Sequence, residues 1–302
     1  VTQDRSLSPN GWPSIHPVAI LERNPGKRYK GTKVLPQSAA ILAQAWLKPF
    51  WLNMDEYLAI VKQDGMALQF FAEDERTDRD IVKAAVQQNG SALLYAPEEM
   101  KADHDIVEAA VKQDGLAPRY AAKELQADHD IVWWAVWQNG LALMHAAEEL
   151  KAGRQIVKAA VKWDGSVLQY ATEEMKADAD VVGYAVTRDG LALQYAAKAL
   201  QARRKIVQTA VTQNGLALSH AGDEMRKDLY IVLAAVLKSR GHALQHAAEE
   251  MKRDRRLVLA AVKAGCSDAL MYAAEEMRAD REIILILVNG NPFRALRYAA
   301  EE

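Results

Sequence analysis

Gly65, Gly90, Gly115, Gly140, Gly165, Gly190 and Gly215 stand 25 residues apart, and Gly241 and Gly265 continue the series with steps of 26 and 24. Around them the same phrase returns, as in Asp105-Ile106-Val107-Glu108-Ala109-Ala110-Val111-Lys112-Gln113-Asp114-Gly115. A second phrase follows it, as in Leu191-Ala192-Leu193-Gln194-Tyr195-Ala196-Ala197. A fixed period of this size marks a solenoid, because a unit of 25 residues cannot bury its apolar face alone and must press it against the next copy.

Within a unit, Ile106, Ala109, Ala110 and Gln113 recur at helical spacing. The pattern predicts a first helix capped by Asp103 or Asp105 and ended by Gly115 in the left-handed conformation. Leu193, Ala196, Ala197 and Leu200 predict a second helix that stops near Ala202. Helices of two or three turns do not hold alone in water, so each depends on its neighbours. The paired alanines Ala84-Ala85, Ala109-Ala110, Ala159-Ala160, Ala234-Ala235 and Ala260-Ala261 leave little side chain between helices and predict close approach. The expected fold is all-α, an α-α superhelix of about nine to ten two-helix repeats over residues 54–302, preceded by an extended arm over residues 1–53.

The phrases Ile-Val-x-Ala-Ala-Val-x-Gln-Asp-Gly and Ala-Leu-Gln-Tyr-Ala-Ala-Glu-Glu-Met-Lys-Ala-Asp, carried unit after unit over about residues 55–302, resemble the tandem repeats of domain of unknown function 4116. The resemblance implies an α-helical repeat used for interaction and brings no catalytic residues with it.

Six of the nine prolines (Pro9, Pro13, Pro17, Pro25, Pro36 and Pro49) lie in the first 53 residues, which excludes long helices from most of that stretch. Ser38 is positioned to cap a short helix through Ile41, Leu42 and Ala45 to Trp46, a lid for the first repeat. Trp12, Trp46 and Trp51 are the arm's docking candidates. Residues 1–50 carry seven bases and two acids, a balance of +5, which leaves −7 for the rest of a chain whose total is −2. That balance argues against a nucleic-acid reader, whose footprint is strongly basic. Half of the residues are hydrophobic, but the longest apolar run is too short to span a bilayer. The single Cys266 excludes an internal disulfide and a cysteine-built metal site, as in a reducing compartment. Val1 is not an initiator methionine and Glu302 stops inside a unit, which leaves room for further chain at both ends.

A reaction has one site, whereas a repeat writes each structural residue many times, so catalytic candidates must break the period. His145, His220 and His246 share a column with Phe70, Tyr95, Tyr120, Tyr170, Tyr195, Tyr272 and Tyr298, and read as members of an aromatic stack between units. His104 and His129 share a column with Arg79, Arg154, Ala179, Arg204, Arg255 and Arg281, and read as surface polar residues. Glu98-Glu99, Glu148-Glu149 and their counterparts recur with the period and diverge by about 100° on a helix, so they read as solvated faces rather than acid–base pairs. Glu98 with Lys101 and Glu148 with Lys151 are expected ion pairs. Asp64, Asn89, Asp114, Asn139, Asp164, Asp189 and Asn214 read as turn residues, and the Asn substitutions weigh against a calcium ladder. No metal, cofactor or catalytic residue is expected.

The solvent-side exceptions are the informative residues. Trp133 replaces Lys83, Glu108 and Lys158 in its column, Trp137 replaces Gln87 and Lys112, and Trp163 replaces Gln88 and Gln113. Trp134 falls in a column of alanines, expected to pack against neighbours. Leu233, Leu237 and Leu259 form a second apolar candidate, and Ile283-Ile284-Leu285-Ile286-Leu287-Val288 put bulk where other units have Lys and Ala. The cover for such residues is the arm or a second copy, a different protein, or a membrane surface or pigment-like apolar ligand. The reading favours a different protein, with membrane contact only peripheral or through that partner, because the patches lack a flanking basic belt. The sequence therefore predicts a nonenzymatic scaffold, an accessory subunit or adaptor of a larger assembly. Its rivals are the recognition half of a longer effector or regulatory enzyme and, less favoured, a repeat-type nucleic-acid reader.

Overall fold

The computed structural model describes residues 53–290, and among them every regular element is helical. Long helices mark the units: α1 Met54–Gln63, α2 Arg79–Gln88, α3 His104–Gln113, α4 His129–Gln138, α5 Arg154–Trp163, α6 Ala179–Arg188, α7 Arg204–Gln213, α8 Leu229–Lys238, α9 Arg255–Lys263 and α10 Arg281–Gly290. Asn53 opens the first with a capping box, its side chain accepting from the Glu56 N–H at 3.0 Å while the Glu56 carboxylate accepts from the Asn53 N–H at 3.1 Å. In most later units an aspartate takes that place, and Asp78, Asp103, Asp128, Asp178, Asp228 and Asp254 accept from first-turn amides that have no partner inside the helix. Trp12, Trp46, Trp51 and the Ser38 helix lie outside the described residues.

The second predicted helix is two short pieces. In the sixth unit a 3-10 segment, Gly190–Tyr195, is followed by Ala196 in extended conformation, by the nonhelical Ala197 and then by one α-helical turn, Lys198–Gln201. The break serves the stacking. It frees the Ala197 N–H, which donates to the Lys176 carbonyl of the preceding unit at 2.9 Å, and the bonds from Ala147 to Gln126 and from Gly222 to Gln201 repeat the arrangement at 2.9 and 2.8 Å. An unbroken helix would spend that donor internally.

Nor do the periodic glycines from Gly65 to Gly215 adopt the left-handed conformation. Among the described residues positive φ is confined to Arg240, Gly241 and Gly265. From Gly65 to Gly215 the long helix ends instead at the preceding Asp or Asn, held extended, and that side chain caps the 3-10 segment. Asp189 accepts from the Leu191 N–H at 2.9 Å and Asn214 from the Leu216 N–H at 3.0 Å, and since only one oxygen is used the two residue types interchange. Glycine is required by close approach. A Cβ on Gly190 would sit 2.4 Å from the Ala210 carbonyl oxygen of the next unit, and one on Gly165 would sit 2.3 Å from that of Ala185. Only the second alanine of each pair takes part in this contact and is buried, while the first lies half-buried on the outer shoulder.

The two irregular steps use a different ending. Arg240, at φ 55°, is the left-handed residue that lets the Gly241 N–H reach the Val236 carbonyl at 2.8 Å, and Gly265, at φ 83°, does the same for Cys266 and Ala261 at 2.9 Å. Gly265 thereby leaves the glycine column, and Ser267 takes the buried position.

The interior is one column per residue of the phrase. Val181, Val182, Ala185, Val186, Ala192 and Leu193 of the sixth unit are all fully buried, and their counterparts in other units follow. Each buried leucine contributes roughly 2 kcal/mol to the stack.

Candidate interaction surface

Side-chain ladders between units show which surface columns are structural. Gln213 accepts from the Gly190 N–H at 2.6 Å and donates to the Arg188 carbonyl at 3.1 Å, and Gln88 does the same with Gly65 at 2.7 Å and the Gln63 carbonyl at 3.3 Å. Arg79 bridges to Asp103 at 2.9 Å and to Asp105 at 2.8 Å in the next unit, and Arg154, Arg204 and Arg255 form equivalent bridges. The Arg79 guanidinium, helped by the first amides of α3, holds the Asp103 carboxyl below the usual carboxylate range. The junction column is thus a tie between units at Arg79, Arg154, Arg204 and Arg255. His104 and His129 are exposed, and His129 lies against its own neighbour Asp130 at 3.2 Å. The expected Glu98–Lys101 and Glu148–Lys151 pairs form, each at 2.9 Å.

On the outer face of α4 to α6 the side chains leave these roles. Trp137 and Trp163 are 60% and 58% exposed. Trp163 stands in the glutamine column and donates its indole N–H to the Trp137 carbonyl at 2.9 Å, as a glutamine would, while its ring remains in solvent. Trp134 is not packed away as its alanine column suggested. It is 51% exposed and meets Trp137 edge to face, with centroids 6.0 Å apart. Its column is the outer-shoulder alanine, which has no room to go inward. Trp133 is half-buried and lies parallel to the His129 ring at 6.3 Å, so the exposed pair on α4 is Trp134 with Trp137 rather than Trp133 with Trp137. Tyr184 on α6, also in the shoulder column, extends the strip, with the Lys158 and Lys162 ammonium groups 4.7 and 5.6 Å from its ring centre. The sequence signal for Tyr184 was the one that marked the tryptophans, a large ring where other units have alanine.

The second patch is weaker. Leu237 is exposed, Leu233 and Leu259 are half-buried, and Tyr230 beside them is 73% exposed. In the last described helix Ile283 and Leu287 are buried while Leu285 and Val288 face outward.

The chemically capable groups are engaged elsewhere. His145, His220 and His246 are half-buried, and burial pushes each imidazole below its ordinary pKa. Among the described residues no ring of their column stacks on another of the same column. His104, Asp105 and Glu108 bring possible metal-binding atoms within 4.8 Å of one another, but Asp105 is held by Arg79 and Glu108 by Lys112, each at 2.8 Å. Burial pushes the Cys266 thiol up, which disfavours a reactive thiolate. No helix among the described residues is long and apolar enough to cross a membrane.

The family model described as Domain of unknown function (DUF4116) matches residues 53–101, 103–151, 153–201, 184–226, 203–252 and 254–302. The chain belongs to this family. No curated protein and no solved structure matches it. Each longer DUF4116 match spans two of the 25-residue units, so the family's repeat is a pair.

Proposed function

We propose that the chain is a nonenzymatic scaffold that binds another protein through the outer face of α4 to α6, as an accessory subunit or adaptor of a larger assembly. The observation that carries this reading is the set of exposed rings Trp134, Trp137, Trp163 and Tyr184 on α4 to α6, in columns that other units fill with alanine or polar side chains. A fully covered Trp hides about 150–250 Å², worth roughly 4–6 kcal/mol as an upper bound, so the strip offers a partner the anchor residues typical of interface centres. The reactive side-chain types support the same reading, since aspartates cap helices, His145, His220 and His246 fill a half-buried column and the cysteine is inside.

Native purification with crosslinking tests it. Trp137→Lys with Trp163→Gln restores residues found in the same columns of other units, and is expected to reduce any specific association at least tenfold while circular dichroism and the unfolding midpoint stay unchanged. Associations that survive the double substitution would remove the basis of the proposal.

A further inference from the structure

Gly183 lies inside α6, in the column that holds Lys83, Glu108, Lys158 and Gln208 in other units. Glycine inside a helix weakens it, and packing does not demand glycine here: a Cβ would meet nothing nearer than the Ile206 side chain at 3.8 Å. Gly183 lines a notch of about 400 Å³, walled by Lys158 and Tyr184 on one side and by Arg203, Lys205 and Ile206 on the other.

The charges around it are also exceptional. The long helices on either side of α6 have lost the acidic start of the other units. Where Asp103 and Asp105 or Asp128 and Asp130 stand elsewhere, α5 begins with Gly153 and Gln155, and α7 with Arg203 and Lys205. Neither Gly153 nor Arg203 makes a side-chain cap, so both helices forgo a stabilising contact found in their neighbours. Residues 153–163 hold Arg154, Lys158 and Lys162 with no acid, and residues 203–213 hold Arg203, Arg204 and Lys205 with no acid. The acid that lines the notch, Asp180, is paired with Arg154.

We infer that the partner presents an acidic protein segment, which seats one side chain in the notch over Gly183 and lays its apolar residues along the indoles; this rests on the docking role proposed above. The segment's carboxylates meet Lys158, Arg203 and Lys205. The chain's own residues 1–50, at +5, carry the wrong sign for this surface. A nucleic acid needs a continuous basic track, and here the basic units are flanked by Asp128 and Asp130 on one side and Asp228 on the other.

The test titrates the full chain, read by tryptophan emission, with three probes: a 16-residue amphipathic peptide of leucine and glutamate, its leucine–lysine counterpart, and a 16-nucleotide oligouridylate. The glutamate peptide is expected to bind saturably and at least tenfold tighter than either of the others. Lys158→Glu with Lys205→Glu should weaken it at least tenfold. Gly183→Gln, which refills the notch with the residue found at 208, should weaken it about fivefold while raising thermal stability. Absence of saturable binding, equal or tighter binding of the lysine peptide or the oligonucleotide, or indifference to Gly183→Gln overturns the inference. If the lysine peptide binds and Trp137→Lys abolishes that binding, the docking surface stands and only its acidic partner falls. If no probe or copurifying protein depends on Trp137, both fall.

Discussion

Gly183 and Gly190 lie seven residues apart in one unit and belong to opposite regions of the molecule. Gly190 is on the seam, where a Cβ would strike the Ala210 carbonyl at 2.4 Å, and its counterparts recur in most units for the same reason. Gly183 is on the outer face, where a Cβ would make only an ordinary contact with Ile206 at 3.8 Å, and no other described unit has glycine in its column. The contrast separates residues that build the stack from residues that leave the consensus without a packing reason. It also shows why glycine alone tells little: the same residue marks a forced contact in one place and a vacated surface in the other.

The sharpest way to break the comparison is to add one methyl group at each position. Gly190→Ala drives a Cβ into a backbone carbonyl that cannot move without shifting the next unit, and is expected to cost about 2–3 kcal/mol. Gly183→Ala removes a helix-interior glycine at no steric cost and is expected to gain about 1 kcal/mol. Urea denaturation followed by circular dichroism measures both, and equal signs at the two sites would erase the distinction.

A smaller effect separates the histidine column from the arginine ties. Burial holds His145, His220 and His246 below their ordinary pKa, so the fold prefers them neutral. Their contribution is complete above the unfolded value near pH 6.5 and declines as pH falls through it, levelling off once pH is below the folded values. The total is expected to stay under about 1 kcal/mol because the rings are only half-buried. Replacing all three by tyrosine, the commoner residue of that column, should flatten stability between pH 5 and pH 7. A slope that persists in the triple variant would assign the dependence to other groups. The aspartates behave differently: those held low by arginine and amide partners, such as Asp103, lose their contribution only as pH falls below about 4.

Much of this was legible in the sequence, because whatever depends on a neighbour one unit away must recur with the period. The repeat, the aspartate caps, the Glu98–Lys101 type of pair and the outward direction of Trp137 and Trp163 all follow from columns. The glycines were misread because a left-handed cap and a close backbone approach both select glycine, and only the position of the Ala210 carbonyl distinguishes them. The broken second helix was hidden for a related reason. Leu193, Ala196 and Ala197 keep helical spacing, while the bond from Ala197 to Lys176 that interrupts the helix lies between units. Trp134 and Tyr184 were missed once both alanines of each pair were taken as interior, although only the second is. The notch at Gly183 had no signal of its own, since its walls come from α5, α6 and α7 and a glycine in a helix does not mark a groove.

The central claim is that the exposed rings of the outer strip add no more to the fold than the residues other units hold in the same columns, as the proposed docking role requires. Returning the strip's four rings to their column types at once, Trp134→Ala, Trp137→Lys, Trp163→Gln and Tyr184→Ala, tests it most directly by equilibrium unfolding in urea. The account predicts a free energy of unfolding within about 1 kcal/mol of the parent chain, since exposed surface substitutions seldom matter more. A loss of more than about 3 kcal/mol, the size expected when a large side chain is removed from an interior, would place the rings among the structural residues and contradict it.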